Sequence, residues 1–220
     1  MHELDPRELA DVERYKLLIG CIVPRPIAVV STVSTTGRHN LAPFSFFCPV
    51  GATPMTVAFC PSALDDGEDK DSLRNAAPLE EGGTGEFVVS VATEPLIREV
   101  AAAAESLPHG ESEFELVGLT PVPSRLVGPP RVAQSPVAFE CRTLSIVRTA
   151  PPGTPGAGAL VLGQVVHIAV DDALVNDRLH VDPAVLAAVG RMGGSGYATT
   201  RDRFDLARGR TALDQAHPLD

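Results

Sequence analysis

The alternation of apolar and polar positions along the chain points first to strands. Residues 27–33 (IAVVSTV) form a β-branched run of strand length, and residues 34–40 (STTGRHN) read as a turn around Gly37. Residues 41–48 (LAPFSFFC) resume the apolar character, so the two runs predict a hairpin. Residues 55–60 (MTVAFC) and 86–91 (EFVVSV) predict two short strands bounded by Pro, Gly or charged residues. In residues 137–148 (VAFECRTLSIVR), Phe139 and Cys141 alternate with Glu140 and Arg142, as in a half-exposed strand. Residues 160–170 (LVLGQVVHIAV) are its longer companion. The Pro- and Gly-rich stretch 149–159 between them cannot continue a ladder and predicts an exposed loop.

Helical patterns are fewer. Residues 94–106 carry Leu96, Val100 and Ala103 on one face, with Pro95 in the first turn. Residues 71–77 (DSLRNAA) predict a short helix capped by Asp71 or Ser72, and residues 182–189 repeat an Asp-Pro start. Six or so strands with three short helices predict a closed or nearly closed antiparallel barrel with peripheral helices.

Composition narrows the picture. The chain has 220 residues, 44% of them apolar, which suits one core. We read residues 1–14 as an N-terminal extension, 15–205 as the domain and 206–220 as a C-terminal tail. A formal net charge of -10 leaves nothing to neutralise a run of phosphates, so nucleic acid is not an expected partner. Cys21, Cys48, Cys60 and Cys141 stand apart in or beside apolar runs and predict buried reduced thiols. Met1 to Tyr15 has no apolar segment of the signal-peptide kind, and no run approaches membrane-spanning length. A soluble cytoplasmic protein without a membrane partner is expected.

Common catalytic motifs are missing. No GxGxxG follows a strand, and neither a GxxxxGK[ST] loop nor HExxH occurs. Gly193-Gly194-Ser195-Gly196 lacks the closing glycine of a nucleophile elbow, Tyr197 standing in its place. His167 lies inside a predicted strand, where a structural role outweighs a metal site.

The informative segment is residues 24–47, PRPIAVVSTVSTTGRHNLAPFSFF. Ser31, Thr32, Asn40 and Ser45 interrupt apolar strands, and buried hydroxyls and amides need partners. This segment resembles the N-terminal signature of flavin-reductase-like FMN-binding split-barrel proteins, a group that includes flavoredoxins. Further motifs follow in the family's order: residues 70–75 (KDSLRN), 85–91 (GEFVVSV), 113–119 (EFELVGL) and 190–197 (GRMGGSGY). Their joint order is specific where each alone is weak.

The resemblance implies a mainly β fold with peripheral helices, a six-stranded antiparallel split barrel that forms a homodimer and binds FMN. Under it, Ser31, Thr32 and Val33 line the flavin, and Asn40, Ala42, Pro43, Phe44 and Ser45 approach the ring, ribityl chain or phosphate. Lys70, Asp71 and Ser72 close on the phosphate. Arg191, Gly193 and Tyr197 come near the flavin edge or its partner subunit, and His109 stands where the family often has an aromatic residue beside the substrate face. Each residue also has a plainer reading: Ser31 and Thr32 as ladder neighbours, Lys70 as a surface charge, Tyr197 as a loop anchor. Residues 64–69 (LDDGED) are acidic just before Lys70, which weakens phosphate binding unless those carboxylates point away.

The implied activity is electron transfer from NADH or NADPH to flavin, with a partner oxygenase, a metal centre or a small acceptor as recipient. Because a flavin carries the hydride chemistry itself, no acid, base or nucleophile motif is required. Two alternatives stand beside it: an FMN oxidoreductase acting directly on an organic substrate, and a non-catalytic split barrel that holds flavin or haem.

Overall fold

The computed structural model describes residues 1–108 and 111–216. Helix α1 (Asp11–Cys21) leads into the short strand β1 (Arg25–Pro26) and then β2 (Ala28–Val33), β3 (His39–Phe44), β4 (Phe47–Ala52) and β5 (Met55–Phe59). Helix α2 (Asp71–Ala76), strand β6 (Glu86–Val91), helices α3 (Ile97–Ala102) and α4 (Glu113–Val117), and the small strands β7 (Pro121–Val122) and β8 (Arg131–Val132) come next. Two long strands, β9 (Val137–Arg148) and β10 (Ala159–Val170), are followed by helix α5 (Pro183–Leu186) and strands β11 (Val189–Arg191) and β12 (Tyr197–Thr199).

The main sheet has seven strands in the order β3-β2-β6-β9-β10-β5-β4. Its two edges, β3 and β4, are consecutive in the chain and separated only by Ser45 and Phe46. That link reaches roughly 11 Å at full extension, whereas seven strands laid flat would hold their edges roughly 29 Å apart. The sheet must therefore curl until its edges meet. The seam is closed by the covalent link and not by a ladder, which makes the barrel split.

The expected single strand over residues 41–48, and with it the count of six strands, is corrected here. The apolar run is continuous across the break, so periodicity alone could not show that its two halves pair with different partners. The predicted hairpin stands: Ala28 pairs with Phe44 and Val33 with His39.

Alternate residues of β2 serve two cores, which explains why residues 27–30 are all apolar. Ala28 and Val30 face the barrel interior with Phe44, Phe59, Phe87, Val89 and Val161, and α2 adds Leu73 and Ala76. The Phe59 ring lies 5.1 Å from Phe44 and 5.0 Å from Phe87, centroid to centroid. A Cβ on Gly163 would stand 2.2 Å from Phe87 Cζ, so only glycine admits that ring. Ile27, Val29 and Leu41 face outward and are covered by Leu96, Val100 and Ala103, the predicted helix face, with Phe114 of α4.

The helices are shorter than their patterns suggested. The 94–106 segment begins as a 3-10 turn around Pro95 before α3, and α5 stops after one turn where Ala187 turns left-handed at φ 45°. Helix α2 is capped by neither Asp71 nor Ser72; Lys70 holds the cap position without a side-chain bond. Helix α1 was not anticipated; it buries no residue, and its apolar side chains Val12, Tyr15, Leu17 and Leu18 are exposed. The thiol expectation holds for Cys141 only: Cys21 and Cys48 are exposed and Cys60 is half-buried, and all four are free. No helix among the described residues is long and apolar enough to cross a membrane.

Candidate functional site

The site begins at the seam between β3 and α2. Asn40 Nδ2 donates to Ser72 Oγ at 2.9 Å, and one turn later Asn75 Nδ2 donates to Thr32 Oγ1 at 3.0 Å. These amide bonds fix α2 across β2 and β3 with Lys70 at its start. Thr32 is thereby occupied and fully buried, as is Ser31, whose hydroxyl donates to the Pro130 carbonyl. Val33 stands against Gly128. The structure therefore sets Ser31, Thr32 and Val33 behind the seam, away from the grooves described next.

Asn40, Ala42, Pro43 and Phe44 form one wall of a hollow of about 200 Å³, with Lys70, Asp71 and Ser72 opposite. Pro43, Phe44, Leu64 and Lys70 also border a larger hollow of about 690 Å³, which Ser45, Phe46 and Cys60 line from the barrel and Val12 and Tyr15 from α1. The predicted residues from Asn40 to Ser45 and from Lys70 to Ser72 thus share one continuous groove. Burial raises the thiol pKa of Cys60, so it lines the groove as a neutral group.

The two carboxylates that flank Lys70 in sequence are paired with arginines. Asp69 receives two bonds from Arg148, at 2.9 and 2.7 Å, and Asp71 receives one from Arg74 at 2.7 Å. Arg74 also donates to the Asp69 carbonyl at 2.9 Å. Asp69 and Asp71 are thus turned toward partners, while Asp65 borders the larger hollow, and Lys70 contributes its positive charge where the two hollows meet.

Two residues went unrecognised in the sequence. Arg25 is 5% exposed and donates to Ser45 Oγ at 3.2 Å, to the Ile19 and Ile22 carbonyls at 2.7 Å each, and to the Met192 carbonyl at 3.1 Å. It binds the end of α1, the link between β3 and β4, and the C-terminal motif at a single point. A lone arginine between two prolines carries no pattern that would announce this. Glu113, buried at the start of α4, accepts the Leu41 N–H at 2.8 Å and borders the smaller hollow. Burial, reinforced by the nearby Asp71 charge, raises its pKa, although the backbone bonds oppose the shift.

The C-terminal candidates lie on the three-stranded sheet of β1, β11 and β12. The Arg191 guanidinium stands 4.4 Å from the Tyr197 ring centroid. A Cβ on Gly193 would lie 3.4 Å from Gly20 Cα, so that turn rests on α1. None of the three lines the groove, but Arg25 connects their segment to Ser45. His109 lies outside the described residues. His167 Nδ1 is 3.2 Å from Glu140 Oε1 on the neighbouring strand, a packing arrangement in keeping with its structural reading.

The donor set suits a flavin: amide and hydroxyl groups from Asn40, Ser45 and Ser72, a lysine toward the phosphate, and an apolar wall at Pro43 and Phe44 for the ring. A family model described as flavin reductase like domain matches residues 19–187. An uncharacterized protein of Halalkalibacterium halodurans is 37% identical over 206 residues, covering 94% of this chain and 96% of its own. The crystal structure of nitrilotriacetate monooxygenase component B from Bacillus cereus superposes with a TM-score of 0.85 at 33% identity, covering 94% of this chain and 98% of its own. That of 2-nitrobenzoate 2-nitroreductase NbaA from Pseudomonas fluorescens superposes with a TM-score of 0.82 at 27% identity, covering 95% and 97%. With most of its length matched and its groove furnished for the ligand, the chain belongs to the flavin reductase-like family.

Proposed function

We propose that this protein binds FMN in the groove between β3, α2 and α1 and serves as a cytoplasmic NAD(P)H-dependent flavin reductase. The observation that carries the reading is the convergence of Asn40, Ser45, Lys70 and Ser72 on one groove in a chain of this family. Lys70 attracts the phosphate as a point charge, and the Ser72 hydroxyl, held in place by Asn40, offers it a hydrogen bond. Asn40 and Ser45 supply polar contacts along the ribityl chain, while Pro43 and Phe44 exclude water from one ring face. Ser45 is itself oriented by Arg25. When bound, the flavin supplies the hydride and electron transfer between nicotinamide and acceptor.

Two features support a homodimer. The edge strand β4 is exposed from Cys48 to Ala52, and α1 exposes Val12, Tyr15, Leu17 and Leu18, of which Val12 and Tyr15 border the larger hollow. A second copy set there would cover the apolar surface and close the open side of the groove. Four free cysteines fit a reducing compartment. The relative named as a monooxygenase component supports a partner oxygenase as the recipient of electrons.

A second reading has its own support in the relative named as a 2-nitrobenzoate nitroreductase. In that case the flavin stays bound and an organic substrate enters the 690 Å³ hollow. Anaerobic absorbance of purified protein with added FMN, before and after NADH or NADPH, tests the proposal. Bleaching of the flavin band, followed by rapid turnover of free flavin, supports the reductase; FMN retained through purification with slow free-flavin turnover supports direct substrate reduction. Binding of FMN with no nicotinamide oxidation by any acceptor overturns both.

A further inference from the structure

Arg25 is a buried cation whose charge is not cancelled. It is 5% exposed, and no carboxylate among the described residues pairs with it. Its guanidinium donates instead to neutral acceptors: the Ile19, Ile22 and Met192 carbonyls and, through Nε–H, Ser45 Oγ at 3.2 Å. The three carbonyl bonds tie chain segments together. The bond to Ser45 ends on a side chain that lines the larger hollow, and the guanidinium stands 5.9 Å from the ring centroid of Phe46, another lining residue. The charge thus lies directly behind the wall of the groove.

We propose that Arg25 is a positioning residue: it sets the Ser45 hydroxyl as a hydrogen-bond donor into the groove and so raises the reduction potential of the flavin held there. The proposal rests on the flavin reading above. A serine hydroxyl carries one proton and two lone pairs. One lone pair is engaged by the arginine, and no acceptor among the described residues takes the proton, which is left for the occupant of the hollow. A hydroxyl that accepts a bond from a cation is also polarised into a stronger donor. Ser45 follows the last residue of β3, at the opposite end of that strand from Asn40 and its bond to Ser72 near the phosphate. A donor there meets the flavin where the ribityl chain joins the ring. The neighbouring N1 and O2 edge gathers negative charge when the ring takes up electrons, and a preset donor stabilises that charge without reorganising.

The test is a redox titration of the FMN-loaded protein, with the affinity for oxidised FMN measured beside it. Ser45→Ala should lower the midpoint potential by about 30 mV, the equivalent of a tenfold loss of affinity for reduced relative to oxidised flavin in a two-electron couple. Oxidised FMN should bind this variant within about threefold of wild type. Ser45→Thr, which keeps the hydroxyl, should restore the potential. Arg25→Gln should lower it at least as far as Ser45→Ala, and the double variant should fall short of the sum of the two single drops. Should Arg25→Gln melt early, the Ser45 pair carries the test with the arginine in place. A potential unchanged in Ser45→Ala with FMN still bound overturns the proposal alone, as do single drops that simply add. Failure of the wild type to bind FMN overturns the flavin reading together with it.

Discussion

Asn40 Nδ2 donates to Ser72 Oγ at 2.9 Å, joining the third strand to the helix that carries Lys70. Both side chains are buried, so removing the acceptor leaves an amide proton without a partner in a place water reaches poorly. Ser72→Ala should lower the unfolding free energy by about 1–3 kcal/mol and weaken FMN binding about tenfold. Urea denaturation and a fluorescence titration of FMN check the two effects separately. A loss of stability with unchanged affinity would confine Ser72 to packing.

Arg148 governs the charge beside Lys70 through Asp69, to which it donates twice. With Arg148→Ala, the Asp69 carboxylate beside Lys70 is left without its arginine, and a phosphate-bearing ligand meets it. FMN affinity should drop about threefold to tenfold, and the penalty should shrink as salt is raised. Riboflavin, which lacks the phosphate, should bind within about twofold of wild type. Equal losses for both ligands would locate the effect in the groove's shape and not in its charge.

Glu113 should impose a pH dependence on stability. Burial raises its folded-state pKa above the usual 4.5, so between the two values the native chain holds more protons than the unfolded one. Its contribution to stability is therefore greatest below the unfolded pKa and declines as pH rises through the folded pKa. Glu113→Gln keeps an oxygen for the Leu41 N–H and removes the titration. The melting temperature of the variant minus that of wild type should be larger at pH 7 than at pH 4. A difference independent of pH contradicts the assignment.

Much of the barrel was legible because its strands advertise themselves locally. Residues 27–33, 86–91 and 137–148 combine β-branched or alternating patterns with clear boundaries, and each became a strand. What escaped depends on contacts between distant segments. The break at Ser45 is visible only once β3 and β4 are known to occupy opposite edges of one sheet. Ser31 and Thr32 stood out as polar residues in an apolar run, but their partners, Pro130 and Asn75, lie far along the chain and consume the groups that seemed available to a ligand. In the same way, residues 64–69 read as hostile to phosphate because Arg148, 79 residues beyond Asp69, could not be paired with it by inspection.

Just beyond Leu64 and Asp65, which border the larger hollow, the chain makes a contact that only glycine permits. Gly67 lies at φ 85°, and a Cβ there would stand 2.3 Å from the Gly153 carbonyl oxygen in the loop joining the two long strands. Gly67→Ala should cost about 1–3 kcal/mol and push that loop outward. Limited proteolysis should then cut within residues 149–158 faster than in wild type. Unchanged cleavage would show that the loop accommodates the methyl group by other means.

The most direct measurement of the central claim is equilibrium titration of FMN into flavin-free protein, followed by flavin fluorescence, with wild type compared against Lys70→Glu. Saturable binding of one flavin per chain, weakened at least tenfold by the charge reversal while riboflavin binding changes far less, is the result this account predicts. Absence of saturable binding in the wild type, or FMN affinity indifferent to the charge at position 70, would contradict it.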